Sequence, residues 1–170
     1  MPLKAEIEPI FFVDAMLGNI ARKLRLLGYD SQYFSDIYDE KLIDSAKKEK
    51  RIIISKDEEL IKKAQKLGMR LVHIIKEDED EQFFEIINSV NLKRIQINGD
   101  IARCPKCNSL TKSVDKDIIK EKIPQGVLKS NDKFWRCKCC NQVYWEGTHI
   151  KNLQEFVDKI NERLQQSIRR

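Results

Sequence analysis

The chain has 170 residues, of which 41% are hydrophobic and 35% are charged, a composition typical of one ordinary globular domain or of a small domain plus a module. No apolar run approaches about 18 residues and the first nine residues carry three charges, so the sequence predicts neither a membrane-spanning helix nor a signal peptide, and we expect a cytoplasmic protein without a membrane partner. The net charge of +5 is uneven, because residues 1–100 have 17 basic and 19 acidic side chains whereas residues 101–170 have 15 and 8. A basic second half favours a polyanionic partner, although lysine-rich helix faces that only keep a protein in solution give the same count.

The first predicted strand and helix enclose an aspartate. Ile10–Val13 is a run of four apolar residues, typical of a strand buried on both faces, and Asp14 follows it directly. Apolar positions then recur at helical spacing up to Gly28, which predicts an amphipathic helix that ends at a glycine. Asp14 is therefore either the cap of this helix or a ligand at the end of a strand. The apolar face of the helix is predicted to contain Met16, Leu17, Ile20, Ala21, Leu24 and Leu27.

Three further pairs of a strand and a helix follow in chain order. The predicted strands are Ser31–Ser35, Arg51–Ser55 and Arg70–Ile75, and each is followed by acidic residues and an apolar pattern of helical period. This alternation predicts an α/β fold with a parallel sheet, because each connection has to pack its helix back on the sheet. The helices are predicted to bury Leu42, Ile43 and Ala46, then Leu60, Ile61, Ala64 and Leu67, and then Phe83, Phe84, Ile86 and Ile87.

Acidic residues follow the predicted strands. The carboxyl ends of parallel strands lie at one edge of a sheet, so we expect these acids to converge there. Each acid alone has a structural explanation, since carboxylates favour helix N-termini. Several carboxylates a few ångströms apart repel one another unless a divalent cation compensates them, and oxygen ligands suit Mg²⁺ or Mn²⁺. The acids at these junctions are Asp14, Asp36, Asp39, Glu40, Asp57 and the run Glu77–Glu81.

Two cysteine pairs mark a second module. The polar connection Asn91–Asp100, with one predicted short strand at Arg94–Ile97, precedes the first pair, and 29 residues separate the two pairs. In a reducing compartment, two Cys-x-x-Cys pairs present four thiolates for a tetrahedral structural zinc. A redox pair is the alternative. We assign Cys104, Cys107, Cys137 and Cys140 to zinc and Cys139 as the spare thiol, and spacing alone leaves an exchange of Cys139 and Cys140 open.

Aromatic residues alternate with basic ones around the second cysteine pair. Segments 134–136 and 143–145 predict the strands of a zinc ribbon. Their rings either form the core of the small module or stack on bases while nearby cations hold phosphates. His149 is a surface cap, a metal neighbour or an RNA contact. The predicted domains are residues 1–98, a zinc ribbon at 99–149, and a helix at 150–170 that packs on the body through Leu153, Phe156, Val157, Ile160 and Leu164.

These motifs, in this order, resemble the Mut-seven C-terminal RNase-domain family, in which a PIN-like nuclease domain is fused to a zinc ribbon. The resemblance extends from about Phe11 to about His149. It rests on Val13–Asp30, Asp39–Leu42, Ile54–Asp57, the two cysteine pairs, Phe134–Cys137 and Val143–His149.

The resemblance implies a three-layer α/β/α PIN-like domain and a metal-dependent ribonuclease. The convergent carboxylates favour an endoribonuclease, and the residues predict a structural zinc and a catalytic Mg²⁺ or Mn²⁺ as cofactors. The predicted partner is RNA, and ribosomal RNA or the ribosome is a further candidate. By this resemblance, Asp14 stands in the place of the family's first catalytic acid and Asp57 in that of a later one. For the acid associated with a helix, Asp39 is preferred to Asp36 and Glu40. Asp78 is the nearest candidate for a fourth acid.

An RNA-binding or ribosome-associated module that keeps the nuclease fold with weak or no chemistry is the alternative. It is compatible with the basic second half and with the absence of an obvious fourth acid. Under either function we expect RNA contacts from Arg22, Lys23, Lys56, Lys133, Trp135, Arg136, Trp145 and His149.

Overall fold

A computed structural model of the protein describes residues 8–92 and 94–169. The chain divides into two compact units. The first contains the chain up to Leu24 together with Tyr29–Val90, and the second contains Arg25–Gly28 together with the chain from Asn91 onward. The predicted domains at 1–98, 99–149 and 150–170 stay predictions about independent folding.

The first unit is built on a parallel sheet of four strands. They are β1 (Phe11–Val13), β2 (Ser31–Tyr33), β3 (Ile52–Ser55) and β4 (Leu71–His73), in the spatial order β2-β1-β3-β4. Every residue of the two central strands, β1 and β3, is buried, which is why their sequences are almost uninterrupted apolar runs. The α/β class and the parallel sheet predicted from the alternation of elements are confirmed.

Helices cover both faces of this sheet. A 3-10 turn at Ala15–Leu17 leads into α1 (Gly18–Leu26), and α2 (Asp39–Glu49), α3 (Glu58–Lys66) and α4 (Glu79–Ser89) follow the next three strands. Helices α2 and α3 pack on one face, because Leu42, Ile43, Ala46, Leu60 and Ala64 form one buried cluster with Phe12 and Ile53. Neighbouring strand residues point to the opposite face. The connection from β1 to β2 runs along the sheet in the opposite direction to the next two connections, so a right-handed crossover puts α1 on the other face. Helix α4 contacts α1 through the ion pair of Lys23 and Glu79 at 2.8 Å, and the arrangement gives the three predicted layers.

Two side chains of the first predicted helix differ from expectation. Met16 was assigned to the apolar face, but it lies in the 3-10 turn before α1 and is 75% exposed. Arg25, a cation between the apolar positions of this helix, is nevertheless only 5% exposed, and its Nη1 donates to the carbonyl oxygen of Pro105 at 2.8 Å. The helical repeat in the sequence predicts the direction in which each side chain points. It does not reveal where the helix begins or which other segment covers its polar face.

The second unit contains a small antiparallel sheet. Strands β5 (Thr111–Ser113), β6 (Phe134–Cys137) and β7 (Val143–Trp145) lie in sequence order, and the last two are the predicted ribbon strands. The short helices α5 (Lys116–Ile119) and α6 (Gln125–Ser130) occupy the long connection between the cysteine pairs, and the sequence did not predict them. The chain ends in α7 (Thr148–Ile168), which buries the predicted apolar face. None of the described helices is long and apolar enough to cross a membrane.

The predicted strand at Arg94–Ile97 is wrong, because this segment pairs with a side chain instead of a strand. The N–H of Ile95 donates to Asn161 Oδ1 at 2.9 Å, and the carbonyl oxygen of Ile95 accepts from Asn161 Nδ2 at 2.8 Å. Ile95 itself is 2% exposed. The side-chain amide of Asn161 in α7 thus forms both backbone hydrogen bonds of Ile95, a buried residue that the apolar alternation predicted to lie in a strand.

Candidate active site and metal centre

The carboxyl ends of the four parallel strands carry the predicted acids. Asp14 follows β1 directly, Asp36 lies beyond β2, Asp57 is two residues beyond β3, and Asp78 lies beyond β4. Because the strands are parallel, all four junctions lie at one edge of the sheet. β1 and β3 are direct neighbours, so Asp14 and Asp57 follow adjacent strands.

A serine connects Asp14 and Asp57. Ser55, the last residue of β3, donates its hydroxyl to Asp14 Oδ2 at 2.6 Å and accepts the backbone N–H of Asp57 at 2.9 Å. The other oxygen of Asp14 accepts the N–H of Ala15 at 2.6 Å. Ser55 is fully buried, so these bonds hold the half-buried carboxylate of Asp14 in one orientation. No feature of the sequence singled out Ser55, which was predicted only as the end of a strand.

The remaining acids begin helices. Asp57 is exposed, and its Oδ1 caps α3 by accepting the N–H groups of Glu59 at 2.7 Å and Leu60 at 3.2 Å. Asp78 caps α4 in the same way through the N–H of Glu81 at 3.1 Å. Both acids have the structural role that was the alternative to metal binding. The second oxygen of Asp57 makes no hydrogen bond within the described chain and is open to a ligand.

The acids of the α2 junction are more dispersed. Asp39 is the first residue of α2, and its Oδ2 lies 3.3 Å from Lys63 Nζ of α3. The Asp39 carboxylate raises the pKa of Lys63, chiefly through this hydrogen bond. Asp36 and Glu40 are exposed. Asp39 is thus the member of this group with a defined partner, and that partner is a cation.

The carboxylates do not form a ready-made metal cage. Over residues 8–92 and 94–169, the four cysteines are the only group of three or more His, Cys, Asp or Glu side chains that could together hold an ion. The shared edge brings the predicted acids to one side of the sheet, but no three of them among the described residues lie close enough to hold one ion. A two-carboxylate arrangement of Asp14 and Asp57 is what the strand order supports.

A polar cleft of about 380 Å³ opens beside Asp14, within the range of about 300–1,000 Å³ typical of small-molecule sites. Gly18 lies at its wall, and a Cβ there would lie 2.8 Å from the hydroxyl of Tyr33, so a larger residue would displace that ring. That hydroxyl donates to the carbonyl oxygen of Ala15 at 3.1 Å. The cleft is lined by residues 15–20 and by Arg22, Tyr33, Lys56, Glu77, Glu79 and Gln82.

Gln82 gives this cleft a fixed hydrogen-bond acceptor. It is 6% exposed, and its Nε2 donates to the carbonyl oxygens of Lys76 at 2.8 Å and Glu77 at 3.0 Å. Both amide hydrogens are therefore used, and Oε1 is left as an acceptor. Sequence reasoning missed Gln82 because a glutamine within an acidic helix start gives no local signal.

The predicted RNA-binding cations of this unit already have partners. Lys56 pairs with Glu77 at 3.0 Å, and Lys23 pairs with Glu79 at 2.8 Å. Arg22 is exposed and donates to Asn19 Oδ1 at 3.3 Å. Arg22 and Lys56 line the cleft.

The four predicted cysteines come together in the second unit. Their sulfurs all lie within 4.8 Å of one another, with Cys104 and Cys140 at 3.6 Å and Cys107 and Cys137 at 3.4 Å. Zinc–sulfur bonds of about 2.3 Å put the sulfurs of a tetrahedron about 3.8 Å apart, so this donor set fits zinc. Cys139 is exposed and lies outside the group.

Hydrogen bonds to the sulfurs support this centre. Burial opposes ionisation of Cys137, but the N–H groups of Cys140 and Cys139, each 3.4 Å from its sulfur, lower its pKa to about 7. Burial raises the pKa of Cys107 to about 12. The hydroxyl of Tyr144 lies 2.9 Å from the sulfur of Cys104. Tyr144 is a residue of the centre that sequence reasoning placed only in a strand.

The aromatic residues of the ribbon are mainly core. Trp135 is 7% exposed and donates its Nε1–H to Asp100 at 3.2 Å, so its predicted role as a stacking platform for RNA is not compatible with its burial. Trp145 is half-buried and packs against Phe134, with ring centroids 6.4 Å apart. Lys133 and His149 are exposed and Arg136 is half-exposed, so these three remain accessible.

One comparison with known proteins, the one against family models, finds a match. The chain matches the family model described as Mut7-C RNAse domain over residues 9–157, a range that contains both the acidic edge of the sheet and all the cysteines. No curated protein matches the chain, and no solved structure matches it. As its motifs predicted, the chain belongs to the Mut7-C RNAse domain family.

Proposed function

We propose that the protein is a Mg²⁺- or Mn²⁺-dependent endoribonuclease whose reaction takes place at the acidic edge of the parallel sheet. The observation that carries this proposal is the unit of Asp14, Ser55 and Asp57 at the ends of adjacent strands. Membership of a family described as an RNase domain supports a nuclease-related role. The PIN-like classification and the roles of the individual acids are part of the proposal.

The residues at this edge fit a hard divalent cation. Asp14 and Asp57 offer only oxygen donors, and Asp57 keeps one carboxylate oxygen without a hydrogen bond in the described chain. At phosphate-cleaving sites Mg²⁺ and Mn²⁺ are usually bound by oxygen ligands, of which only one or two are protein carboxylates. A bound divalent cation there would supply Lewis-acid stabilisation of the phosphate and a lowered pKa for an attacking water. Asp39 is the proposed third acid, and Asp36, Glu40 and Asp78 are weaker candidates.

The chain's own groups would bind and orient the substrate. Ser55 fixes the rotamer of Asp14, so the position of its negative charge is set before substrate arrives. Lys56 lies between Ser55 and Asp57 and would exchange Glu77 for an RNA phosphate. Gln82 would accept a hydrogen bond from a nucleotide in the cleft.

The cysteine centre is proposed to hold one structural zinc. A closed shell of four sulfurs leaves no open position for water, so it stabilises the fold instead of taking part in hydrolysis. Lys133, Arg136 and His149, and the accessible edge of Trp145, are the ribbon side chains proposed to help hold RNA.

Metal-dependent cleavage of RNA is the direct test. Zinc-loaded protein, freed of other divalent ions by gel filtration, is incubated with labelled single-stranded and structured RNA, with and without Mn²⁺ or Mg²⁺. A chelator is avoided because it would also remove zinc from the ribbon. We expect cleavage only with the added ion, and a loss of at least about a hundredfold in Asp14→Asn, because ligand charge and preorganised position are lost together.

Asp44→Asn is the matched control. Asp44 is an exposed residue within α2, so the same chemical change there should leave the rate unchanged. Asn at position 14 can still accept the N–H of Ala15, so the turn should be preserved. Cleavage without the added ion, or equal cleavage by Asp14→Asn and wild type, would overturn the proposal.

An RNA-binding or ribosome-associated module is the second candidate. The observation that favours it is the lack of any three grouped carboxylates in the described residues. It predicts RNA binding with no metal-dependent product, and an affinity that Asp14→Asn leaves unchanged. Binding that does not weaken at high salt would count against a phosphate-dominated mode.

A further inference from the structure

A second cavity lies at the opposite edge of the parallel sheet from the acids. It has a volume of about 240 Å³ and is formed where α2 and α3 end and where β3 and β4 begin. Half of its eight lining residues are cations and none is acidic. We call it the amino-edge groove, and its cations are Lys47, Lys50, Arg51 and Arg70.

Three of these cations have no counter-charge. Lys47, Lys50 and Arg70 are exposed and form no ion pair with any described residue. Arg51 differs, because it is 6% exposed and is held by Asp30 and Glu49 at 2.6 Å each. Elsewhere in the same unit the lysines at positions 23, 56, 62 and 63 each meet a carboxylate within 3.3 Å. The three exposed cations of the groove are therefore available to an anionic ligand.

Helix dipoles explain only part of this concentration. Lys47 and Lys48 lie in the last turn of α2, and Lys63 and Lys66 lie in the last turn of α3, where cations are favoured. Lys50 is the C-cap residue of α2, where the dipole also favours a cation, whereas Arg70 lies beyond the C-cap of α3 and the dipoles do not account for it. Positive and negative charges of this unit are also concentrated in different parts of the chain. Residues 41–70 have ten basic and five acidic side chains, whereas residues 71–90 have one basic and six acidic side chains.

We propose that the amino-edge groove binds phosphates of an RNA strand whose scissile region lies at the acidic edge. The inference rests on the proposed function only in naming RNA as the polyanion. The nine residues of α3 span about 14 Å at about 1.5 Å per residue, so the two edges are separated by roughly that distance. At about 3.4 Å per nucleotide, as along one strand of a duplex, the RNA has to bridge about four nucleotides between cleavage point and groove.

Salt-dependent RNA binding tests the groove. The full chain, zinc-loaded and without Mg²⁺ or Mn²⁺, is titrated with a labelled single-stranded RNA of about 20 nucleotides at several salt concentrations. In the triple variant Lys47→Gln, Lys50→Asn, Arg70→Gln we expect the slope of log affinity against log salt to fall by about 0.7 for each phosphate contact removed, or about 2 in total. Asn is used at position 50 because Lys50 has a φ of 57°, a left-handed conformation that Asn tolerates well.

A charge-matched control separates a local site from a general charge effect. The triple variant Lys41→Gln, Lys120→Gln, Lys151→Gln removes three positive charges from exposed positions outside the groove that likewise form no ion pair with a described residue, and we expect it to leave the slope unchanged. Equal slopes in the two triple variants, or no change in the groove variant, would overturn the proposal. Displacement of RNA by polyglutamate as effective as displacement by unlabelled RNA would assign the groove to acidic proteins and would also overturn it.

A length series distinguishes this proposal from the proposed function. A dinucleotide cannot span the two edges, so its cleavage in Mn²⁺ should be the same in wild type and groove variant, while cleavage of the long RNA at limiting concentration should fall. If no RNA is cleaved by any form but the slope still falls, the groove proposal holds and the nuclease proposal fails. If the wild type cleaves RNA and the groove variant changes cleavage of the dinucleotide and of the long RNA by the same factor, the groove proposal fails.

Discussion

The two units of this protein are stabilised in different ways. In the first, every residue of β1 and β3 is buried, and α2 and α3 form one apolar cluster with Phe12 and Ile53. In the second, the ribbon has a smaller buried cluster of Ile119, Phe134 and Val143, to which α7 contributes none of its buried residues, and cysteines lie at its turns and strand ends. A small apolar core provides too little burial to balance chain entropy, which is where a metal contributes most. The first unit should therefore be stable without zinc, and the second should depend on it.

Removing the zinc should have the largest effect. We expect Cys107→Ser to lose the metal and to unfold the second unit, because structural zinc in small modules contributes about 10–16 kcal/mol of apparent binding free energy. Elemental analysis measures the zinc, and hydrogen exchange measures the order of each unit. The first unit should keep its protection.

Cys139→Ser is the control for this prediction. Cys139 is exposed and outside the sulfur group, so this variant should retain about one zinc per chain. Retention of zinc in Cys107→Ser together with its loss in Cys139→Ser would show that the ligand set has been assigned wrongly.

Truncating the core of the first unit should have the next largest effect. Phe12 is fully buried between α2, α3 and the sheet, and Phe12→Ala should lower the free energy of unfolding of this unit by about 3–5 kcal/mol through lost burial and a cavity. Urea unfolding followed by hydrogen exchange should give the same loss with and without zinc. Tyr38→Ala, at a 74% exposed position, should change it by less than about 0.5 kcal/mol. A loss that depends on zinc would contradict the contrast between the units.

The first unit also contains a buried cation, and removing it should cost less. Arg51 donates to Phe11, Asp30 and Glu49, and these bonds raise its pKa against the opposing effect of burial. Arg51→Met should lower the free energy of unfolding by about 2 kcal/mol. This is below the cost for a fully buried pair, because the side chains of Asp30 and Glu49 are 24% and 40% exposed. Thermal unfolding measures it, and no loss in Arg51→Met would show that apolar burial alone stabilises this unit.

Substitution of a glycine in the second unit should have the smallest effect on stability, and Gly99 and Gly126 allow a comparison. A Cβ on Gly99 would lie 2.3 Å from the ring of Trp135, so Gly99→Ala should destabilise this unit by about 1–2 kcal/mol even in excess zinc. Gly126 has nothing within 4 Å of its Cβ position, so Gly126→Ala should be neutral or slightly stabilising in α6. Chemical denaturation in excess zinc compares the two. Equal stabilities would mean that packing around Trp135 contributes little once the metal is bound.

Much of the fold could be predicted because its signals are local. Apolar runs, helical periodicity and glycine ends marked every strand and helix of the first unit, with boundaries one or two residues off. The short helices α5 and α6 were missed because four to six residues give too little periodicity. The segment around Ile95 was predicted as a strand because alternation in the sequence does not reveal whether the bonding partner is a strand or the side chain of Asn161.

The sequence by itself determined the α/β class, the edge of the sheet at which the acids lie and the four-cysteine centre, since strand order along the chain and Cys-x-x-Cys spacing are enough for these. Only the tertiary structure decided which groups touch. Ser55 reaches Asp14 across 41 positions of the chain, and Tyr144 reaches Cys104 across 40. The tertiary structure also decided that Trp135 is buried and that Lys47, Lys50 and Arg70 line one groove. Contacts between distant segments depend on how helices and strands pack, and the local pattern of residues does not contain that information.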